Sequence, residues 1–234
     1  GSGGVVQVTN GSRVQENRVI STTGFGGGVY NLSGVLVVDA SFILSNTVPN
    51  VDNSGGGGAI GNSGSSSVVS ITNGSLIQNN TASYGGGIHN SNGKVAINAS
   101  TVATNTASFF GGGIYNFGSA GILTITNGSM VADNAARNSD PFVLTSGGGI
   151  RNTAGGQVII DASTIASNTV GNLGGAILNT DPNSRVLITN GSRITANRAA
   201  SGGGLANQSG PITITNSAVL TNTANNGGGI HNSN

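Results

Sequence analysis

Apolar and polar residues alternate along this chain in short runs, and these runs predict β-strands. Leu123-Thr124-Ile125-Thr126 and Val95-Ala96-Ile97-Asn98 are two examples. β-Branched residues are enriched in such runs, and glycine, asparagine or serine stands where each run breaks off. A helical i, i+3, i+4 stripe never persists without a glycine or an Asn-Gly step interrupting it. The pattern therefore predicts an all-β structure built from short strands.

A six-residue glycine motif, Gly-Gly-[Gly/Ala]-[Ile/Leu/Val]-x-Asn, occurs eight times and makes the chain a repeat array. The final asparagines of the motif are Asn31, Asn62, Asn90, Asn116, Asn152, Asn179, Asn207 and Asn232. A serine followed five residues later by an asparagine also recurs once per repeat. These bend asparagines are Asn17, Asn46, Asn80, Asn105, Asn134, Asn168, Asn197 and Asn222.

The repeats predict a parallel β-helix. Three short strands cannot bury one apolar side alone, but stacked copies can, with like strand over like strand about 4.8 Å apart. Eight such coils give a rod on the order of 38 Å long. We expect a single β-solenoid domain over residues 1–234, uncapped at both ends. Uncapped ends fit a piece of a longer protein, or a subunit that associates head to tail into a filament.

Both sets of asparagines have a structural interpretation. In the glycine motif the apolar residue and the asparagine lie two positions apart, so both face the same side of a strand. An inward asparagine can bond the backbone of its own turn and the side-chain amide of the next coil. We therefore predict two amide ladders, which satisfy polar groups that would otherwise cost about 1 to 3 kcal/mol each when buried.

Composition narrows the function. Charged residues make up 6% of the chain and the formal net charge is +1, so there is no basic patch for nucleic acid or an anionic membrane. No run of 18 apolar residues is present, which predicts no membrane insertion by this segment. With no cysteine, neither a disulfide framework nor a thiolate zinc site can form. We predict no cofactor and no metal.

The acidic residues give little support to catalysis by a pair of carboxyl groups. Glycoside hydrolysis needs two carboxyl groups about 5 to 9.5 Å apart. Asp39 and Asp161 occupy the same column of the repeat, but they lie four coils apart, about 19 Å at the strand spacing. We therefore predict that the chain is not an enzyme. A carbohydrate-active β-helix enzyme is the last of the alternatives that we keep.

Two surface features are candidates for binding a glycan or protein partner. The outward position of the glycine motif carries His89, Tyr115 and Arg151 in successive repeats, so these side chains should stack. Aromatic rings and arginine both offer stacking surfaces. The stretch after the bend asparagine is also long in three repeats, and the insertion with Arg137, Asp140 and Phe142 is the strongest candidate for a recognition loop.

The motifs resemble the right-handed parallel β-helix repeats of the chlamydial polymorphic outer-membrane proteins and of related bacterial autotransporter passengers and adhesins. The resemblance covers nearly the whole chain and is closest in the glycine motifs that begin at Gly57 and Gly174. It departs where that family has Phe-x-x-Asn, since Ile43, Ile77 and Val102 hold the apolar position here. The resemblance implies a right-handed β-helix and an extracellular or cell-surface adhesin role. Our first expectation is thus a non-catalytic, adhesin-like surface module.

Overall fold

The computed structural model describes residues 3–21, 23–49, 55–140 and 143–233. Its strands form the predicted all-β, right-handed parallel β-helix of eight coils with three strands per coil. Each of three sheets takes one strand from every coil, in chain order, and neighbouring strands are parallel. We number the coils 1 to 8 from the N-terminal end.

The first sheet contains Val5–Thr9, Val35–Asp39, Val68–Thr72, Lys94–Asn98, Ile122–Thr126, Gln157–Asp161, Arg185–Thr189 and Ile212–Ile214. The second contains Arg13–Gln15, Phe42–Leu44, Leu76–Gln78, Thr101–Ala103, Met130–Ala132, Thr164–Ala166, Arg193–Thr195 and Ala218–Leu220. The third contains Val29–Leu32, Ile60–Ser63, Ile88–Ser91, Ile114–Phe117, Ile150–Thr153, Ile177–Asn179, Leu205–Asn207 and Ile230–Asn232.

A fourth, shorter sheet forms in the stretch that varies in length. It contains Thr81–Tyr84, Thr106–Phe110, Ala135–Ala136 and Thr169–Val170. Single parallel bridges continue it to the remaining coils, both directly after the bend asparagine and directly before the glycine motif. The insertions therefore emerge between two fixed points of each coil, along one side of the rod.

The core is a set of apolar columns inside the coils. In coil 3 the first sheet contributes Val69 and Ile71, the second contributes Ile77 and the third contributes Ile88, and none of these side chains is exposed. Alternate residues of each strand point inward, as Val68–Thr72 shows with its buried second and fourth positions. One contiguous cluster of such residues runs from Val8 to Leu205. Burial of each large side chain stabilises the fold by about 1.5 to 3 kcal/mol.

The bend asparagines form a continuous ladder inside the corner. Seven side-chain hydrogen bonds of 2.9 to 3.0 Å join Asn17 to Asn222 through the six asparagines between them. Asn105 shows the full pattern. Its Oδ1 accepts from the backbone N–H and the Nδ2 of Asn80, and its Nδ2 donates to the Ile77 carbonyl and to Asn134 Oδ1. The Asn105 side-chain amide thus makes two hydrogen bonds as acceptor and two as donor.

The glycine-motif asparagines form a second ladder on the third sheet. Their side chains are joined by bonds of 2.7 to 3.2 Å from Asn31 to Asn232. Nδ2 also donates to the turn that follows within the same coil, as Asn90 does to the Gly93 carbonyl at 2.7 Å. Because the asparagines of both ladders are paired coil by coil, every coil is locked in register with the next.

Replacing Asn105 by alanine should lower the free energy of unfolding by about 3 kcal/mol, because the buried Asn80 backbone N–H loses its acceptor and the Ile77 carbonyl and Asn134 Oδ1 each lose the bond that Asn105 Nδ2 donates. Urea denaturation measures the change. Asn225→Ala is the matched control, since Asn225 is exposed and uses its backbone N–H to bond Ala200. The control should stay within about 0.5 kcal/mol of the parent. Equal stability of the two variants would contradict a stabilising ladder.

Candidate functional site

Two neighbouring columns of outward side chains run along the glycine motif. The column inside the motif holds Tyr30, Gly61, His89, Tyr115, Arg151, Leu178, Ala206 and His231, paired strand to strand. The column directly before the motif holds Phe25, Gly56, Tyr84, Phe110, Ser146, Leu173, Ser201 and Asn226, joined by parallel bridges. The glycine turn joins the two columns within each coil, so a side chain of one column can contact the side chain of the other column in the same coil.

Aromatic residues of these columns, together with the neighbouring Phe109 and Phe117, form a connected surface over coils 1 to 4, which we call the aromatic face. Its members are Phe25, Tyr30, Tyr84, His89, Phe109, Phe110, Tyr115 and Phe117. Ring centroids lie 5.1 Å apart between His89 and Tyr115 and 5.5 Å apart between Tyr84 and Phe110. Such spacings are typical of attractive aromatic pairs. The face is thus a continuous sheet of rings and not a row of separate side chains.

Two glycines make room for this packing. A Cβ atom at Gly56 would lie 2.1 Å from His89 Nδ1. A Cβ atom at Gly61 would lie 3.0 Å from Phe25 Cβ and 3.1 Å from a ring carbon of Tyr30. Both glycines belong to coil 2, where neither column has a side chain. Phe25 can therefore reach across coil 2 to His89, at 5.3 Å between ring centroids.

The sequence predicts that His89 faces outward, where it could contact a partner, and the structure places it facing outward but largely covered by other rings. His89 points out of its coil but is 9% exposed, because Phe25 and Tyr115 cover its ring. Burial lowers the pKa of His89 to about 4, since a charged imidazole would lose its hydration there. His89 is thus the most covered ring of those that line the groove beside Tyr115.

One accessible part of the aromatic face lies around Tyr115, and another lies at Tyr30, which is 48% exposed. Phe117 is 38% exposed, and Tyr84, Phe110 and Tyr115 are half-buried. Together they line a shallow groove of about 240 Å³. Burial raises the pKa of the Tyr84 and Tyr115 phenols, and the nearby positive charge of Arg151 opposes this rise. Both phenols remain neutral hydrogen-bonding groups at physiological pH.

Arg151 continues the face into coil 5. Its guanidinium carbon lies 3.7 Å from the centroid of the Phe110 ring, which is a close cation–π contact. Nη1 donates to Ser146 Oγ at 2.7 Å, whereas the buried Nε–H has no partner among the described residues. Burial lowers the pKa of the Arg151 guanidinium, and the Tyr115 and Tyr84 phenols oppose that change. Arginine still carries its charge at neutral pH.

A second groove, of about 390 Å³, opens beside Arg151. We call it the Arg151 groove and define it by Phe110, Leu144, Arg151, Asn172, Leu173 and Gln208. Three of these side chains are apolar, two are amides and one is a cation. Since Phe110 belongs to both grooves, the aromatic face and the Arg151 groove form one continuous surface.

The structure describes two of the three residues named for the predicted recognition loop. Arg137 and Asp140 are exposed, and Phe142 lies outside the described residues. The Arg137 backbone N–H bonds the Ala107 carbonyl at 2.8 Å, so the insertion leaves the coil just after this residue. Further along the same insertion, Leu144 and Thr145 line the Arg151 groove, whereas Arg137 and Asp140 do not.

Sequence reasoning did not identify the column that precedes the glycine motif, although the signal was present. Phe25, Tyr84 and Phe110 each stand immediately before the first glycine of a motif. Aligning the repeats one position further back reveals this aromatic column. Leu144 carries no such signal, because its place beside the groove depends on how the insertion folds back.

The acidic residues take structural positions at the corners. Asp39 Oδ1 accepts hydrogen bonds from Thr72 Oγ1 at 2.7 Å and from Asn73 Nδ2 at 2.6 Å. Asp161 makes the equivalent bonds to Thr189 and Asn190, four coils further along the rod. Over the described ranges, no cluster of three or more histidine and acidic side chains is arranged to hold a metal ion. The same part of the chain includes no helix with the length and apolarity needed to cross a membrane.

Comparison of the chain with protein-family models, with curated proteins and with solved structures finds no match in any of the three.

Stability should fall at mildly acidic pH because of His89. Its folded-state pKa of about 4 lies below the ordinary value of 6.5, so only the unfolded chain takes up this proton as the pH falls between them. The loss should approach about 3 kcal/mol by pH 4. Urea denaturation from pH 7.5 to pH 4 measures it.

The decisive comparison is with His89→Phe, which keeps a ring in the stack and cannot titrate. This variant should lose correspondingly less stability over the same pH range, whatever its stability at pH 7.5. His231→Phe is the matched control, since His231 occupies the same column in coil 8, and it should follow the parent protein. An identical pH profile for His89→Phe and the parent would contradict the burial of a neutral His89.

Proposed function

We propose that this chain is a non-catalytic, extracellular β-solenoid module with an adhesin-like role, and that it binds glycans through the aromatic face. The observation that carries the proposal is the distribution of aromatic residues. The chain has six phenylalanines and three tyrosines, and seven of these nine lie in the aromatic face. The core, by contrast, is built from valine, isoleucine, leucine and alanine.

The location of the rings argues for a ligand. Rings that served only stability would be expected inside the coils, where burial yields most. Phe117 and Tyr30 instead remain 38% and 48% exposed, beside grooves that the rings themselves line. Exposed apolar patches on soluble proteins commonly mark binding sites. Flat rings beside polar hydroxyl and amide groups suit sugars, which present both C–H faces and hydroxyl groups.

Three features support the remaining parts of the proposal. The carboxylates of Asp39 and Asp161 are held in corner hydrogen bonds four coils apart, about 19 Å, which is too far for paired glycosidase chemistry. The absence of cysteine and the low charge suit a protein exposed to the extracellular medium. The repeat motifs resemble those of bacterial surface adhesins, as described above.

Phe117→Ala should weaken binding of a glycan identified on an array by about three- to tenfold, because one exposed stacking surface is lost. Phe42→Ala is the matched control. Phe42 lies in the second sheet, beneath Arg13, on a different side of the rod. The control should bind as tightly as the parent, and titration calorimetry measures both variants.

Two results would contradict this proposal. Equal binding by Phe117→Ala and Phe42→Ala would remove the aromatic face as the binding surface. New reducing ends, appearing while the protein is incubated with the bound glycan, would show catalysis and favour a carbohydrate-active enzyme.

A further inference from the structure

We infer that the Arg151 groove is a subsite for a sugar residue that carries a carboxylate, such as a uronic acid. The inference rests on the proposed function, since it names the class of glycan that the surface selects. Its starting point is that the groove contains one cation, Arg151, and no acidic side chain among the described residues that line it.

The charge of Arg151 is incompletely compensated. Its partners in the described part of the chain are the Ser146 hydroxyl and the Phe110 ring, and neither carries a negative charge. The Nε–H is buried and has no hydrogen-bond partner among the described residues, so burial there is not offset by a hydrogen bond from this part of the chain. An uncompensated cation in a partly desolvated site is strongly stabilised by an incoming anion. The site is therefore held ready for negative charge.

The orientation of Arg151 is fixed before any ligand arrives. Stacking on Phe110 and the bond from Nη1 to Ser146 Oγ hold the guanidinium plane in place. Within the described ranges the only side-chain hydrogen bond of Arg151 is the one from Nη1, so Nη2 and the second hydrogen of Nη1 can donate to a ligand. Two adjacent N–H donors match the two oxygens of a carboxylate. Little rotamer entropy is then lost on binding, which favours affinity.

The remainder of the groove suits the ring of a sugar. Leu144, Leu173 and Phe110 provide apolar walls for C–H faces, while the side-chain amides of Asn172 and Gln208 can bond hydroxyl groups. A volume of about 390 Å³ falls within the range of small-molecule sites. A phosphate group is less well matched, because its two charges are usually met by more than one cation.

The test compares ligands that differ at one group. D-Glucuronate and D-glucose differ in the C6 carboxylate, as do D-galacturonate and D-galactose, and D-glucose 6-phosphate places a phosphate at the same carbon. Binding is followed by NMR titration of the full chain, using backbone amides and the Nε–H signal of Arg151. We expect at least one uronate to bind about tenfold more tightly than its neutral counterpart and to shift the Arg151 signal.

Variants test whether Arg151 causes the preference for the uronate over the neutral sugar. Arg151→Gln should remove the preference and leave the uronate and the neutral sugar equal. Arg151→Lys should keep part of it, since the charge remains but the two-point geometry is lost. Arg185→Gln is the matched control for net charge, because Arg185 is exposed on the first sheet, and it should behave as the parent. Thermal denaturation verifies that each variant is folded.

The outcomes separate this inference from the proposed function. If array glycans bind in a Phe117-dependent way but uronates have no advantage over neutral sugars, the Arg151 inference is wrong and the aromatic face stands. Tighter binding of D-glucose 6-phosphate than of D-glucuronate would also overturn it, in favour of a phosphate site. If neither array glycans nor uronates bind, both proposals are wrong.

Discussion

The structure depends on the hydrogen bonds between asparagine side chains of successive coils. An interior bend asparagine such as Asn105 uses both donors and both acceptor positions of its amide, and three of its four bonds reach another asparagine. A shift of one residue between coils would leave these buried groups unpaired on both sides. Because that cost recurs at every coil, register is fixed along the rod. The apolar columns then stack in the register that the asparagine ladders set.

Because the register is fixed, outward side chains of successive coils lie next to one another and form one surface. The core and the ladders are formed by equivalent positions in every coil. The outward positions can therefore vary without loss of the fold. In the two columns at the glycine motif, the type of side chain differs from one part of the rod to another. Aromatic residues occupy coils 1, 3 and 4, glycines in coil 2 admit the rings of their neighbours, and Arg151 follows in coil 5. A continuous surface thus arises from side chains that are distant in sequence.

The repeat made much of this predictable. Eight copies of each asparagine and of the glycine motif define the strands, the coil and the pairing of His89, Tyr115 and Arg151 at one position. The burial of His89 was not predictable from the motif, because it depends on Phe25 crossing a coil that lacks side chains at Gly56. The fourth sheet and the approach of Leu144 to Arg151 depend on how the variable stretch folds back, and no repeat constrains that path.

A map of the glycan-bound surface would show directly whether the two grooves act together. Backbone and side-chain NMR signals of the labelled protein would be followed while the array-selected glycan is added. The perturbed signals should form one continuous patch from Tyr30 to Gln208, across the aromatic face and the Arg151 groove. Perturbations centred on the first or second sheet, with Phe117 and Arg151 unaffected, would contradict binding at these grooves.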